Sequence, residues 1–145
     1  MIQFRILAVN ISEKKGELKR PVPQIRLVEN WGIENDAHAG DWHRQVSLLA
    51  QEDIDTIKAR GLEIQFGDFA ENITTEGIEL HLLPIGARIQ IGEAILEVTQ
   101  IGKECHHGCA VFQQIGDCVM PRRGIFARVI RGGVISHESP GSYDI

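Results

Sequence analysis

Apolar positions along this chain recur mostly with a period of two. Ile2, Phe4, Ile6 and Ala8 alternate with polar Gln3 and Arg5, and then both faces turn apolar, as in a strand that enters a core. The stretch from Lys14 to Pro23 is polar and holds Gly16, Pro21 and Pro23, which predicts a loop. Extended structure resumes over Ile25–Val28. The uninterrupted run Val46–Ala50 reads as a buried strand leading into a helix from Gln51 to Arg60. Ile54 and Ile57 supply the buried face of that helix. Glu52 and Asp53 fall in its first turn and Lys58 and Arg60 in its last, with Gly61 placed for the C′ position. A side chain suited to capping the helix start is missing.

From residue 70 onward the pattern is nearly all strand and turn. Ile89 and Ile91 lead into Gly92-Glu93, after which Ala94, Leu96 and Val98 return on one face, a hairpin signature. A second hairpin is expected to join Ile125–Arg131 to Val134–Ser136 through Gly132-Gly133. A short helix is expected from Cys109 to Ile115. The tail from Ser139 carries Pro, Gly and Ser and reads as loosely held. No linker, repeat or low-complexity segment interrupts residues 1–145, so a single domain is expected. Many short strands, tight turns and one or two short helices make the predicted fold mostly β, a closed or nearly closed β-barrel.

Composition narrows the function classes. The chain has 145 residues, 43% of them hydrophobic and 24% charged, enough to bury a core. Its formal net charge of −5 argues against a nucleic-acid binder. No segment approaches the ~20 apolar residues that span a bilayer, so no membrane partner is expected. The N-terminal residues lack a positively charged leader before an apolar run, and a cytoplasmic home follows as the default. Charge is nevertheless uneven. Lys103, Arg122, Arg123, Arg128 and Arg131 stand against Glu104 and Asp117 between residues 100 and 131, and the remainder of the chain is acidic. Such a basic island suits a small anionic ligand, or it is a set of ordinary surface arginines.

Candidate chemistry gathers in the same region. All three cysteines, Cys105, Cys109 and Cys118, fall within G-K-E-C-H-H-G-C and the following G-D-C-V-M-P-R-R. Three thiols cannot pair completely, and in a reducing compartment they read as thiol chemistry, metal ligation or packing. A reactive thiol must ionise near neutral pH, which nearby cations favour. Lys103, His106 and His107 adjoin Cys105, whereas Glu104 opposes ionisation if it faces the sulfur. A strand-end backbone sends neighbouring side chains to opposite faces, so Cys105 is the leading thiol. Cys105, His106, His107, Cys109 and Cys118 also contain enough sulfur and nitrogen for zinc, although the spacing matches no recognised knuckle.

A second constellation is G-I-E-N-D-A-H-A-G-D-W-H-R-Q-V (Gly32–Val46). Here Asp36 can orient the His38 imidazole through a hydrogen bond, with Asp41, His43 and Arg44 close behind. The third is F-G-D-F-A-E-N-I-T-T-E-G (Phe66–Gly77), in which Glu71 and Asn72 enter a Thr-rich strand. Both are open to a plainer reading as turns whose polar side chains cap backbone groups.

Taken in order, these segments resemble the MOSC family, named for the molybdenum cofactor sulfurase C-terminal domain. The resemblance runs through G-I-E-x-D-x-H-A-G, F-A-E-N-I-T-T-E-G-I-E-L, L-P-I-G-A-R-I-Q-I-G, V-T-Q-I-G-K-E-C and G-I-F-A-R-V, over about residues 4 to 136. It implies a short stand-alone member of bacterial type, with a β-barrel that handles sulfur or an anionic pterin-type ligand. The family's characteristic cysteine maps onto Cys105, with Glu104 where many members have proline. Asp36, His38, Glu71, Asn72 and Arg128 match other recurrent polar positions, and Arg44, Lys103, Arg122 and Arg123 join them as ligand-binding candidates. Of these, His38, Glu71 or Asn72, Cys105 and Arg128 are expected to converge on one cleft.

Three functional readings follow. The first is a sulfur-carrier or sulfur-transfer domain in molybdenum cofactor metabolism. In it Cys105 accepts a persulfide, with molybdopterin as ligand or substrate. The chain has no room for a pyridoxal-phosphate desulfurase domain, so a separate cysteine desulfurase or a molybdoenzyme is the expected partner. The second is a non-catalytic module that binds molybdopterin or a related anion. The third is a zinc-stabilised structural domain.

Overall fold

A computed structural model describes residues 2–15, 17–102 and 123–144. Seven strands close into a barrel. Its order is β1 (Ile2–Ile11), β11 (Pro140–Asp144), β7 (Arg88–Ile91), β8 (Ala94–Ile101), β9 (Ile125–Arg131), β5 (Val46–Ala50) and β6 (Ile73–Glu76), which returns to β1. The expected closed β-barrel is therefore what the chain forms. β5 and β6 run parallel and the other barrel neighbours antiparallel. The short β2 (Arg20–Val22) extends β1 inside the stretch read as a loop, and β3 (Ile25–Val28) pairs with β4 (Gly32–Ile33).

Alternation explains the interior. Ile89, Ile91, Leu96, Val98, Ala127 and Val129 point inward and are fully or almost fully buried. The outer face of β5 and β9 carries a second apolar layer. There Leu49 and Phe126 meet Ile54 and Ile57 of helix α1 (Gln51–Lys58), together with Ile64 and Phe69 of the loop that follows. Each such buried side chain stabilises the layer by roughly 1.5–3 kcal/mol. The helix thus packs through the two isoleucines that its pattern singled out, and it starts without a side-chain cap. Gly61 takes a positive φ of 88° two residues beyond the C-cap Ala59, one position later than expected.

Two expectations are overturned. β9 does not form a hairpin with the next strand; β10 (Gly133–Ile135) pairs with β3 instead. The chain leaves β9 at Gly132, where a Cβ would come within 2.5 Å of the Leu27 carbonyl oxygen, so the glycine permits a crossing of chains and not a tight turn. The tail is not loosely held either. Residues 140–144 form β11, which bridges β1 and β7 and closes the barrel. Main-chain pairing on both sides holds it, with Gly141 opposite both Phe4 and Ile91.

Two of the β-bulges set which residues reach the outer face beside the site. In β1 the register shifts between Ile6 and Ala8, so the inward positions pass from Phe4 and Ile6 to Val9, and Asn10 turns outward. In β8 the register shifts between Val98 and Gln100. Gln100 therefore lies opposite Phe126, on the outer face that directly paired residues share.

Candidate functional site

The loops 12–19, 34–45 and 64–71 cover the outer face of the barrel around these two bulges. Each brings polar groups, and these form distinct clusters.

The first cluster centres on Lys19, whose side chain is fully buried together with that of Asp36. Its ammonium donates to Asp36 Oδ1 at 2.8 Å and to Ser12 Oγ at 3.0 Å, and lies 3.0 Å from His38 Nδ1. Asp36 also accepts the backbone N–H of Ser12 on Oδ1 and that of His38 on Oδ2. Burial alone would raise the Asp36 carboxyl. The Lys19 charge and these hydrogen bonds outweigh it and hold the pKa below the usual carboxylate range. A cleft of about 490 Å³ lies against this cluster, lined by Ile11, Ser12, Glu13, Arg20, Asn35 and Asp36.

The second cluster contains Glu71 and Asn72, both fully buried. Glu71 accepts the N–H groups of Gly67 and Phe69, each at 3.1 Å, and the Thr74 hydroxyl at 2.8 Å. Burial raises its pKa more than these donors lower it. Asn72 Oδ1 accepts from the backbone N–H and the hydroxyl of Ser47, while its amide donates to the Asn10 carbonyl. Asn10 in turn donates to Glu71 O and Thr74 Oγ1. Gly67 joins the two clusters, because its N–H serves Glu71 and its carbonyl accepts the Lys19 N–H at 2.9 Å.

On the opposite flank the 34–45 loop clamps the end of β8. Gln100 Oε1 takes Arg44 Nε at 3.0 Å and lies 2.7 Å from His43 Nε2, while its amide donates to Gly102 O. The Thr99 hydroxyl bonds the His43 carbonyl. Trp42 donates to His38 O at 2.8 Å, and its ring lies parallel to the His38 imidazole at 6.5 Å. The Lys15 ammonium stands 4.5 Å above the Trp42 ring, and the Arg44 guanidinium stands 5.3 Å from the Phe126 ring. Arg128, two residues along β9 from Phe126, shares that outer face. Its Nε–H is buried without a hydrogen-bond partner among the described residues.

The model of the MOSC domain matches residues 35–140. The chain belongs to the MOSC domain family. No match is found among curated proteins. Solved structures share the fold at low identity. The YuaD protein from Bacillus subtilis superimposes with a TM-score of 0.80 at 18% identity, covering 97% of this chain and 94% of that one. YiiM from Geobacillus stearothermophilus gives 0.73 at 21% identity, covering 98% and 75%. YiiM from Escherichia coli gives 0.72 at 18%, covering 100% and 71%. The family is associated with the molybdenum cofactor.

Within this MOSC domain the sequence-predicted residues fall into separate groups. Asp36 and His38 stand together, with Lys19 between them as the group that sequence reasoning missed. Glu71 and Asn72 stand together but have their polar atoms taken up inside the protein. Arg44 and Arg128 flank Phe126. Arg123 sits five residues from Arg128 along the chain, in a cleft of about 230 Å³ beside α1, where it meets His81 and lies 3.9 Å from Asp53. Lys103, Cys105, Cys109, Cys118 and Arg122, together with Glu104, His106, His107 and the helix expected over 109–115, lie outside the described residues. Among the described residues no group of three or more His, Cys, Asp or Glu is arranged to hold a metal ion. No helix among them is long and apolar enough to cross a membrane.

Proposed function

We propose that this MOSC domain is a sulfur carrier in molybdenum cofactor metabolism, with Cys105 as the persulfide acceptor. The observation that carries the reading is the clamp at Gln100. The loop bearing Asp36 and His38 is tied through His43 and Arg44 to the strand end that runs, by way of Gly102, into Lys103 and Cys105. Loops fixed on a rigid barrel are a common place for reactive groups.

In the proposed step the Cys105 thiolate attacks the terminal sulfur of a persulfide on a partner cysteine desulfurase. The donor S–S bond breaks, the donor cysteine leaves as thiolate, and the terminal sulfur remains bonded to Cys105. Arg44, with its guanidinium beside Phe126, and Arg128, whose buried Nε–H has no partner among the described residues, would receive the phosphate of a pterin substrate through charge-assisted hydrogen bonds. Lys103, Arg122 and Arg123 add positive charge along the same segment of sequence. Glu71 and Asn72 serve the site by fixing the loops around it.

A binding module without covalent sulfur is the competing reading. The ring of Lys15, His38 and Arg44 around Trp42 favours it, because that surface could hold a planar anion with no thiol. Intact-mass measurement after incubation with a cysteine desulfurase and cysteine separates the two. The carrier gains sulfur that a reductant removes, and Cys105→Ala does not. Equal sulfur loading of the wild type and Cys105→Ala would overturn the assignment. Iodoacetamide should also label Cys105 faster than Cys109 or Cys118 in the folded protein.

A further inference from the structure

We infer that Lys19 is a positioning residue that fixes His38 as a hydrogen-bond donor through Nε2–H and removes it as a base. The sequence pattern of Asp36 and His38 suggests the reverse, a carboxylate that holds Nδ1–H and leaves Nε2 free to take a proton. The geometry does not support that pairing. Asp36 Oδ2 lies 3.8 Å from His38 Nδ1 and already accepts the backbone N–H of His38 at 3.0 Å. Among the described residues, the group at hydrogen-bond distance from Nδ1 is the Lys19 ammonium, at 3.0 Å.

An ammonium carries three N–H donors and no acceptor. Among the described residues the ammonium meets Asp36 Oδ1, Ser12 Oγ and His38 Nδ1. Ser12 Oγ can accept because its own proton goes to the Lys14 carbonyl. Nδ1 must therefore present its lone pair, and the ring proton resides on Nε2. A proton on Nδ1 would place an N–H against an N–H and one positive charge against another inside a buried cluster. Asp36 keeps Lys19 charged, and Lys19 keeps His38 neutral. Trp42 holds the ring from the chain side by donating to the His38 carbonyl, with its indole parallel to the imidazole.

Any group that meets Nε2–H, from the protein or from a ligand, must then be an acceptor. A ligand in that place rests on the function proposed above, whereas the tautomer stands without it. Other charged or titratable groups near the ring, among the described residues, are Lys15 and Arg44 over Trp42 and His43 at its edge. All three add cationic or polar character around the ring, and none supplies an acceptor for Nδ1–H.

Long-range nitrogen–proton correlation spectra of uniformly labelled protein read each ring nitrogen directly. At neutral pH His38 should show Nε2 protonated and Nδ1 bare, as one tautomer. A wild-type spectrum with Nδ1 protonated, as imidazolium or as the opposite tautomer, overturns the inference. Lys19→Met should release the ring. Because it also strands Asp36, Lys19→Met combined with Asp36→Leu is measured beside it, and there the two tautomers should mix. A ring that keeps the wild-type pattern in that double variant shows that Lys19 does not position it. Sulfur loading of Cys105 is read separately by mass, so loss of the carrier function leaves the tautomer result intact.

Discussion

Asp36 and Glu71 are both buried carboxyls in loops on the outer face of the barrel, and the fold treats them oppositely. Asp36 faces a fully buried ammonium and is held ionised. Among the described residues Glu71 faces only N–H and O–H donors, and burial pushes it toward its neutral form. At Glu71 the hydrogen bonds do not offset the loss of water around a charge, whereas at Asp36 the Lys19 countercharge, added to hydrogen bonds, does. The difference separates two roles. In the Glu71 cluster the polar atoms of Glu71 and Asn72 bond other parts of the protein, and the cluster acts as a knot between β1, β5 and β6. The Asp36 cluster has one open edge, because the His38 side chain is 17% exposed while those of Lys19 and Asp36 are fully buried.

The comparison breaks most sharply at the ion pair. Lys19→Met leaves Asp36 buried without its countercharge and should cost about 3–5 kcal/mol in urea unfolding. Adding Asp36→Leu should recover much of that loss, since an apolar pair of similar volume often replaces a buried ion pair at little cost. If Lys19→Met alone proved neutral, Asp36 would be solvated and its contrast with Glu71 would disappear.

Gly67 tests whether the two clusters are mechanically one. It has a φ of 88°, and a Cβ there would lie 2.3 Å from the Lys19 carbonyl oxygen. Gly67→Ala should therefore destabilise by about 2–4 kcal/mol, from left-handed strain plus the clash. It should also disturb both the Lys19 and the Glu71 contacts. Hydrogen exchange that opens at Phe69 without opening at His38 would show the clusters to be independent.

The sequence displayed the barrel more clearly than the site. Alternation in β7 and β8 and the Ile54–Ile57 pair were visible because burial imposes a regular spacing on them. β11 was not visible, since residues 140–144 are held by main-chain pairing on both sides and need no apolar alternation. The partner choice of β10 was equally hidden, because Gly132-Gly133 reads as a turn whether or not the strands it joins pair. Asp36 and His38 could be picked out from their spacing and from the family resemblance. Lys19 could not, for it sits in a polar loop 17 residues before Asp36, and its burial follows from how three loops stack. The two bulges were also unreadable, yet they aim Asn10 and Gln100 at the clusters they serve.

The smallest effect, and the finest test of the contrast, is in pH dependence. The Glu71 pKa is raised in the fold above its unfolded value. Its contribution to stability is then complete below the ordinary carboxylate range and is lost as pH rises through the folded value. Asp36 is lowered in the fold, so its contribution is present above the ordinary range and is lost as pH falls through the folded value. Glu71→Gln removes the first dependence and costs one acceptor, because the amide nitrogen must face an N–H or hydroxyl donor. That cost, partly offset by the absence of a buried charge, should come to about 1 kcal/mol near neutral pH. The stability difference between wild type and Glu71→Gln should shrink as pH is raised from acid to neutral. The difference between wild type and Asp36→Asn should grow over the same range. Urea midpoints of the three proteins across that range make the comparison. Parallel curves for the two substitutions would mean that Glu71 ionises as readily as Asp36, and that the donors around it do the work assigned here to a countercharge.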